Sequence, residues 1–213
     1  MTIQIITLFP EMFEGVLNSS MLWKAQKENL VEYKLINLRD YGIGPRKQVD
    51  DIPYGGGDGM VLKPEPLLEA VDAAKKTDPD ATVLLMTPRG DIFTQELARE
   101  FAATDAGLII ICGRYEGYDE RITTVVNKQI SIGEYVLTGG ELPAMIITDA
   151  VTRLIPGVLG GETSAELESH SELGVLEHPH YTRPEEYRGL KVPDVLISGH
   201  HAQIAKWRQE NQK

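Results

Sequence analysis

Five short apolar runs punctuate this chain: Ile3–Leu8, Val31–Asn37, Thr82–Met86, Leu108–Cys112 and Gln129–Ile132. Each is bounded by polar or turn-forming residues, the pattern of a strand buried in a sheet. Between them, turn-spaced patterns predict helices over Pro64–Lys76, Thr94–Phe101 (with Thr94 as N-cap), Asp119–Val126 and Leu142–Leu154. In the last, Leu142, Met145, Ile146 and Asp149 share one face. The alternation predicts an α/β fold with a mostly parallel sheet flanked by helices. Periodicity then fails over residues 160–178. A small helical tail is expected beyond it, ending in His200–Gln209, where His200, Ile204 and Trp207 fall on one face. The expected organisation is a domain over 1–159, a flexible linker or lid over 160–178 and a small helical domain over 179–213.

Composition narrows the class. A chain of 213 residues fits one ample domain, or one with a small appendage. The single cysteine, Cys112, excludes an internal disulfide and a multi-cysteine zinc site, and suits a reducing cytosol. No signal peptide is expected at the start, and no segment approaches the ~18 apolar residues of a membrane helix. The expectation is a soluble cytoplasmic protein with no membrane partner. A formal charge of −11 argues against a protein that coats nucleic acid non-specifically. It leaves an RNA enzyme open, because local patches make phosphate contacts. All five histidines lie after residue 169, accompanied by Arg183, Arg188, Lys191, Lys206 and Arg208. The C-terminal end is therefore the favoured nucleic-acid face.

Several segments are candidates for chemistry. "DDIPYGGGDGMVLKP" (51–64 and its preceding Asp50) lacks the spacing of a phosphate loop or a dinucleotide fingerprint. It reads equally as a turn cluster and as a loop whose bare backbone approaches a ligand. "LLMTPRG" (84–90), "CGRYEGYDER" (112–121) and "SIGEYVLTGGELPA" (131–144) each start at the C-terminal end of an apolar strand and break into Gly- or Pro-containing turns. Ligands of open α/β sheets sit beyond such strand ends, so the three together predict one composite small-molecule pocket. The histidines show no H-E-x-x-H or other clear metal spacing, and no metal site is expected.

These segments also carry a resemblance. "PYGGGDGM", "CGRYEGYDER", "SIGEYVLTGGELPA", "RLIPGVLG", "HPHYTRP" and "SGHH" stand in the order, and nearly the spelling, of bacterial tRNA (guanine-N1)-methyltransferases of the SPOUT superfamily. The similarity runs from "LFPEMF" (8–13) to "KWR" (206–208). It implies a deep C-terminal trefoil knot, an exception to the usual unknotted topology. It implies methylation of N1 of guanosine at tRNA position 37, with S-adenosylmethionine as the methyl donor. It also implies a homodimer whose active sites are shared across the interface. The implied cofactor site comprises Leu85, Met86, Thr87, Pro88, Gly113, Tyr115, Gly117, Ile132, Gly133, Glu134, Tyr135, Val136, Leu137, Gly139, Gly140 and Pro143. Magnesium is left open and without assigned residues.

The chemistry follows from the substrate. Guanine N1 carries a proton, so a base must remove it while charge growing toward O6 is stabilised. Arg153, in "VTRLIPG", matches the family's essential arginine; an ordinary helix-terminal arginine is its structural alternative. Glu116, in "RYEG", is placed to accept from the 2-amino group, or is a solvated loop acid. The family's catalytic aspartate falls, counting from Arg153, on Glu168 in "AELESHSE", with His170 where Phe is usual. Glu168 is the expected base, with Glu166 or His170 as substitutes. Glu177 stands where an acid is expected, on the RNA side or the linker. His180, Tyr181 and Arg183 fit RNA contact; His200 reads better as capping or packing. Asp50 and Asp51 shape the substrate pocket or are solvated. A tail ending at Lys213 is expected to weaken tRNA docking through lost phosphate contacts.

Overall fold

The computed structural model describes residues 1–104, 106–160, 168–170 and 174–213. Its elements follow in chain order: β1 (Thr2–Thr7), α1 (Glu14–Leu17), α2 (Ser20–Lys27), β2 (Glu32–Asn37), β3 (Asp50–Asp51), β4 (Val61–Leu62), α3 (Pro64–Thr77), β5 (Thr82–Ile92), α4 (Gln95–Ala102), β6 (Leu108–Cys112), β7 (Lys128–Ser131), α5 (Glu141–Thr152), β8 (Glu186–Tyr187), β9 (Leu190–Lys191), α6 (Asp194–Ile197) and α7 (His201–Glu210). The chain divides into two compact units, Met1–Leu159 and Gly160–Lys213.

In the first unit the five apolar runs form one sheet of order β2-β1-β6-β5-β7, and every pairing is parallel. Side chains alternate across it. Ile3, Ile5, Leu84, Met86, Leu108, Ile110 and Cys112 pack on one face with α2, α4 and α5. Ile6, Val83, Leu85, Ile109 and Ile111 pack on the other, against Leu67, Ala70, Val71 and Ala74 of α3. The α3 set has the i, i+3, i+4, i+7 spacing of a half-buried helix. Gln4, a polar residue in the interior strand β1, is satisfied there by donating from Nε2 to Ala74 O at 3.0 Å. Thr94 caps α4 as expected, its hydroxyl accepting from Leu97 N–H at 3.3 Å.

Three local expectations differ. The segment read as helix over Asp119–Val126 is a 3-10 helix over Glu120–Val125. Thr123 and Thr124 donate their hydroxyls to the carbonyls of Glu120 and Arg121, at 2.7 and 2.8 Å, and this local bonding competes with an α-helical ladder. The "TPRG" run does not end its strand: β5 continues to Ile92, and its pairing with β7 shifts register between Met86 and Asp91. The exposed part of α5 is the stripe read from the sequence: Leu142 and Ile146 are about half exposed, and only Met145 of that set is buried.

The second unit holds the antiparallel ribbon β8–β9 as well as α6 and α7, so it is not purely helical. Leu176 and Lys213 exchange backbone hydrogen bonds there, at 2.6 and 3.1 Å. Among the described residues, no helix is long and apolar enough to cross a membrane.

Candidate functional site

Beyond the carboxyl ends of β5, β6 and β7 lies a cavity of about 390 Å³, within the usual range of small-molecule sites. β5 contributes Met86, Thr87 and Pro88; the loop after β6 contributes Gly113, Tyr115, Glu116 and Gly117. The loop after β7 contributes Ile132, Gly133, Tyr135, Val136, Leu137, Gly139 and Gly140, and α5 adds Pro143 from its first turn. The three strand-end loops are thus brought together, because the parallel order places β6, β5 and β7 side by side with the same end exposed.

Two residues of the expected cofactor set fall outside this wall. Leu85 is fully buried and faces α3, because its strand neighbours Met86 and Leu84 take the opposite face. Glu134 is an exposed turn residue that does not line the cavity. In the other direction, Arg89, Arg114, Tyr118, Glu120, Ile130, Ser131 and Thr138 line it without having been read as site residues. Arg114 and Thr138 lie inside the quoted motifs, but their partners are remote in sequence.

The walls are stitched together by backbone. Gly140 N–H donates to Gly113 O at 2.8 Å, and Arg114 bridges Gly139 in an antiparallel pair. A Cβ at Gly140 would lie 2.8 Å from Cys112 Cα and from Gly113 N, so this contact needs glycine. Tyr115 adopts a left-handed backbone, φ 60°, which is uncommon for a bulky residue and occurs here at the cavity rim. Ser131 Oγ donates to Gly133 O at 3.0 Å and fixes the turn that leaves β7.

The glycine-rich loop, left open between two readings, joins the same wall. Glu116 N–H donates to Met60 O at 3.0 Å and Leu62 N–H to Gly117 O at 3.0 Å. A Cβ at Gly59 (φ +82°) would lie 2.5 Å from Glu116 Cγ. Asp50 pairs with Leu62 across β3–β4 and is half-buried. Asp51 is held below the ordinary carboxylate range, first by the Ile52 N–H and then by Lys63. Asp119 is also held low, by the Arg121 guanidinium at 2.8 Å to each carboxylate oxygen. Burial pushes the Cys112 thiol well above its usual range, so it is no nucleophile.

Arg153 is the half-buried C-cap residue of α5. It sits ten residues beyond Pro143, about 15 Å along the helix at 1.5 Å per residue. In the second unit Glu168 is half-buried, and His170 is exposed with φ 65°. Glu166 lies outside the described residues. Glu177 and His180 form a pair, Oε1 to Nε2 at 2.9 Å, and Arg183 is exposed. His200 occupies the N-cap position of α7 without a side-chain capping bond. His178, His180, Tyr181, Ile204, Trp207 and Arg208 border a smaller hollow of about 170 Å³.

Comparison with protein families matches residues 1–213 to the family described as tRNA (Guanine-1)-methyltransferase TrmD. The tRNA (guanine-N(1)-)-methyltransferase of Halalkalibacterium halodurans is 56% identical over 212 residues, 99% of this chain and 85% of that protein. That of Dictyoglomus turgidum is 53% identical over 208 residues, 98% of this chain and 83% of that protein. A crystal structure of tRNA (m1G37) methyltransferase from Aquifex aeolicus superposes with a TM-score of 0.81 at 40% identity, covering 97% of this chain and 87% of that one. With its SPOUT-type parallel sheet and composite strand-end cavity, this chain belongs to the bacterial tRNA (guanine-N1)-methyltransferases, enzymes that methylate N1 of guanosine in tRNA with S-adenosylmethionine.

Proposed function

We propose that this enzyme acts on guanosine 37, beside the anticodon, and that its methyl donor occupies the cavity beyond β5, β6 and β7. The observation that carries the reading is the convergence of three glycine-bearing strand-end loops on one cavity of about 390 Å³. The fit to S-adenosylmethionine is chemical. Adenine and ribose edges need fixed donors and acceptors, and a wall of main chain supplies both. At Gly117, with φ 125°, a Cβ would meet nothing within 4 Å, so its absence leaves space beside the backbone rather than relieving a protein contact. Tyr135, Val136 and Leu137 supply the apolar cover. When bound, the donor supplies an electrophilic methyl group on a sulfonium.

The chain's own groups then act on guanine. Glu168 takes the N1 proton as the nitrogen attacks, and Arg153 stabilises the charge that grows toward O6. Glu116 accepts from the 2-amino group, and Asp50 shapes the adjoining wall. Glu177, His180 and Arg183 face RNA. The family's aspartate is replaced here by glutamate, which has one more methylene and loses more rotamer freedom on ordering. Glu166 and His170 are the substitutes should Glu168 be inert. No residues are assigned to magnesium.

We further propose a homodimer with active sites shared between copies, a trefoil knot where the chain between β7 and α5 returns past residues 113–114, and a cytoplasmic setting with its tRNA. Two features support the shared site. Leu142 and Ile146 form an exposed apolar stripe on α5. Arg153 sits ~15 Å along α5 from Pro143 of its own cavity wall, a separation that favours service to a second copy's cavity.

The test is methyl transfer from labelled S-adenosylmethionine to tRNA transcripts with G or A at position 37. Label on the G37 transcript alone is expected. Equal label on both, or none on either, overturns the reading.

A further inference from the structure

Glu177, His178 and His180 each bring one donor atom into a space where no two are more than 4.8 Å apart. We propose that this trio binds a first-row transition dication of the zinc, cobalt or nickel type. None of the three is among the residues that line the methyl-donor cavity, and the proposal is independent of the methyl-transfer reading.

The donor set selects the ion. Two imidazoles and a carboxylate suit zinc, cobalt and nickel, whereas magnesium prefers oxygen ligands and keeps its waters. His178 Nδ1 lies 3.3 Å from Pro179 O. Donation to that carbonyl puts the proton on Nδ1 and leaves the Nε2 lone pair for a metal, the usual outer-sphere arrangement of a ligating histidine. His180 Nε2 and Glu177 Oε1 have already converged to 2.9 Å.

The trio is also framed. Glu177 N–H donates to Ser169 Oγ at 3.0 Å, and the preceding residue, Leu176, is tied by backbone bonds to Lys213. The His178 ring packs against His180, centroids 4.6 Å apart, and edge-on to Trp207 at 6.1 Å. Pro179 between the two histidines fixes one backbone angle of the turn. A tetrahedral zinc ion with bonds of ~2.0–2.1 Å sets its donors about 3.3 Å apart. One donor atom from each residue lies within 4.8 Å of the others, so binding through those atoms needs shifts of roughly 1.5 Å or less against that tetrahedral spacing, with the 2.9 Å Glu177–His180 pair opening slightly. Exposed His180 and half-buried Glu177 supply it by side-chain rotation. Three protein donors leave a fourth position for water.

The competing description is a plain histidine–carboxylate pair that holds no metal. Equilibrium dialysis of the tag-free, chelator-stripped full chain against zinc ions separates the two. One saturable zinc ion per chain is expected, displaced by cobalt and unaffected by excess magnesium. His178→Ala and His180→Ala should each weaken it at least about tenfold, since losing even an outer-sphere partner costs metal sites 10–100-fold. The double variant His200→Ala/His201→Ala should bind as tightly as the parent. Absence of saturable binding overturns the proposal. So does binding that survives both single substitutions, or that is lost with His200 and His201 instead. A circular dichroism melt of each variant shows that it is folded when tested.

Discussion

Arg114 Nε lies 2.9 Å from Oε2 of Glu141, a carboxylate only 1% exposed at the start of α5. The second oxygen of that carboxylate, Oε1, accepts from Thr7 Oγ1 at 2.9 Å. The Arg114 guanidinium stacks on Phe9, 4.5 Å from the ring centre, and donates to Thr138 O at 3.2 Å. One buried acid thus ties the end of β1 to the loop after β6 and, through Arg114, to the loop after β7, two of the three that wall the cavity. It stands in the first turn of α5, at the helix N-terminus. Removing it leaves a guanidinium that is only 16% exposed without its carboxylate partner. Glu141→Ala is therefore expected to cost about 3–5 kcal/mol, read as a fall in melting temperature of roughly 10 °C. The Kd for S-adenosylmethionine should rise with it. Glu141→Gln, which keeps an acceptor for Thr7, should lose less. Equal melting temperatures for parent and alanine variant would refute the role.

The assignment of base and charge stabiliser separates binding from chemistry. Glu168→Gln should lower kcat by about 10²–10⁴, and Arg153→Ala by about 10²–10³. Cofactor affinity, measured by calorimetry, should stay within error of the parent for both. Full turnover in Glu168→Gln would transfer the role to Glu166 or His170.

Two glycines of the cavity wall should fail in different ways. At Gly140 an added methyl meets backbone, 2.8 Å from Cys112 Cα, so Gly140→Ala should cost about 1–3 kcal/mol as the walls part. At Gly117 the methyl meets open space, but φ is +125°, a strain of order 1–3 kcal/mol. Gly117→Ala should weaken cofactor binding more than its stability loss explains, because the methyl projects beside the ligand. Parallel melting and binding measurements distinguish the two.

The exposed stripe on α5 makes a separate prediction. Ile146→Asp removes an apolar side chain that is 46% exposed, so the monomer should remain folded. Light scattering should show the dimer shifted toward monomer and transfer activity lost with it. A dimer of undiminished stability would place the interface elsewhere.

Alkaline stability should report on Tyr33. Burial raises its phenol from 10.0 to about 12, while Thr152 Oγ1, 2.8 Å away, partly opposes the shift. The neutral form is thus favoured in the folded chain. Its contribution is complete below pH 10 and drains away between pH 10 and about 12, as the unfolded state ionises first. Tyr33→Phe should flatten that segment of a denaturation-versus-pH curve. At neutral pH it should cost about 1–2 kcal/mol, because Thr152 is left buried without its partner.

Much of the scaffold was legible because burial on both faces of a parallel sheet demands uninterrupted apolar runs such as "LIIIC", and those are visible locally. Helices α1 and α2 were not. Each is short, and their buried residues Leu17, Leu22 and Ala25 are separated by polar ones with no clean period. The site divides the same way. Glycine-bearing turns after strands announced a cavity, and its wall follows those three segments. That the Leu85 side chain packs against α3 was not legible, because membership of a motif does not say which face of a strand a side chain takes. Arg114 was overlooked because its partner lies 27 residues away.

The sequence by itself determined the strand runs, the α/β class, the three cavity segments and the family resemblance, since these depend on residue type and near-neighbour spacing. The tertiary structure alone decided that Thr7, Arg114 and Glu141 meet. It also set Gly140 against Cys112 and turned Leu85 away from the cavity, and it gathered Glu177, His178 and His180 around one point. Those outcomes depend on strand order, pleat and side-chain direction, which bring together atoms that no local pattern relates.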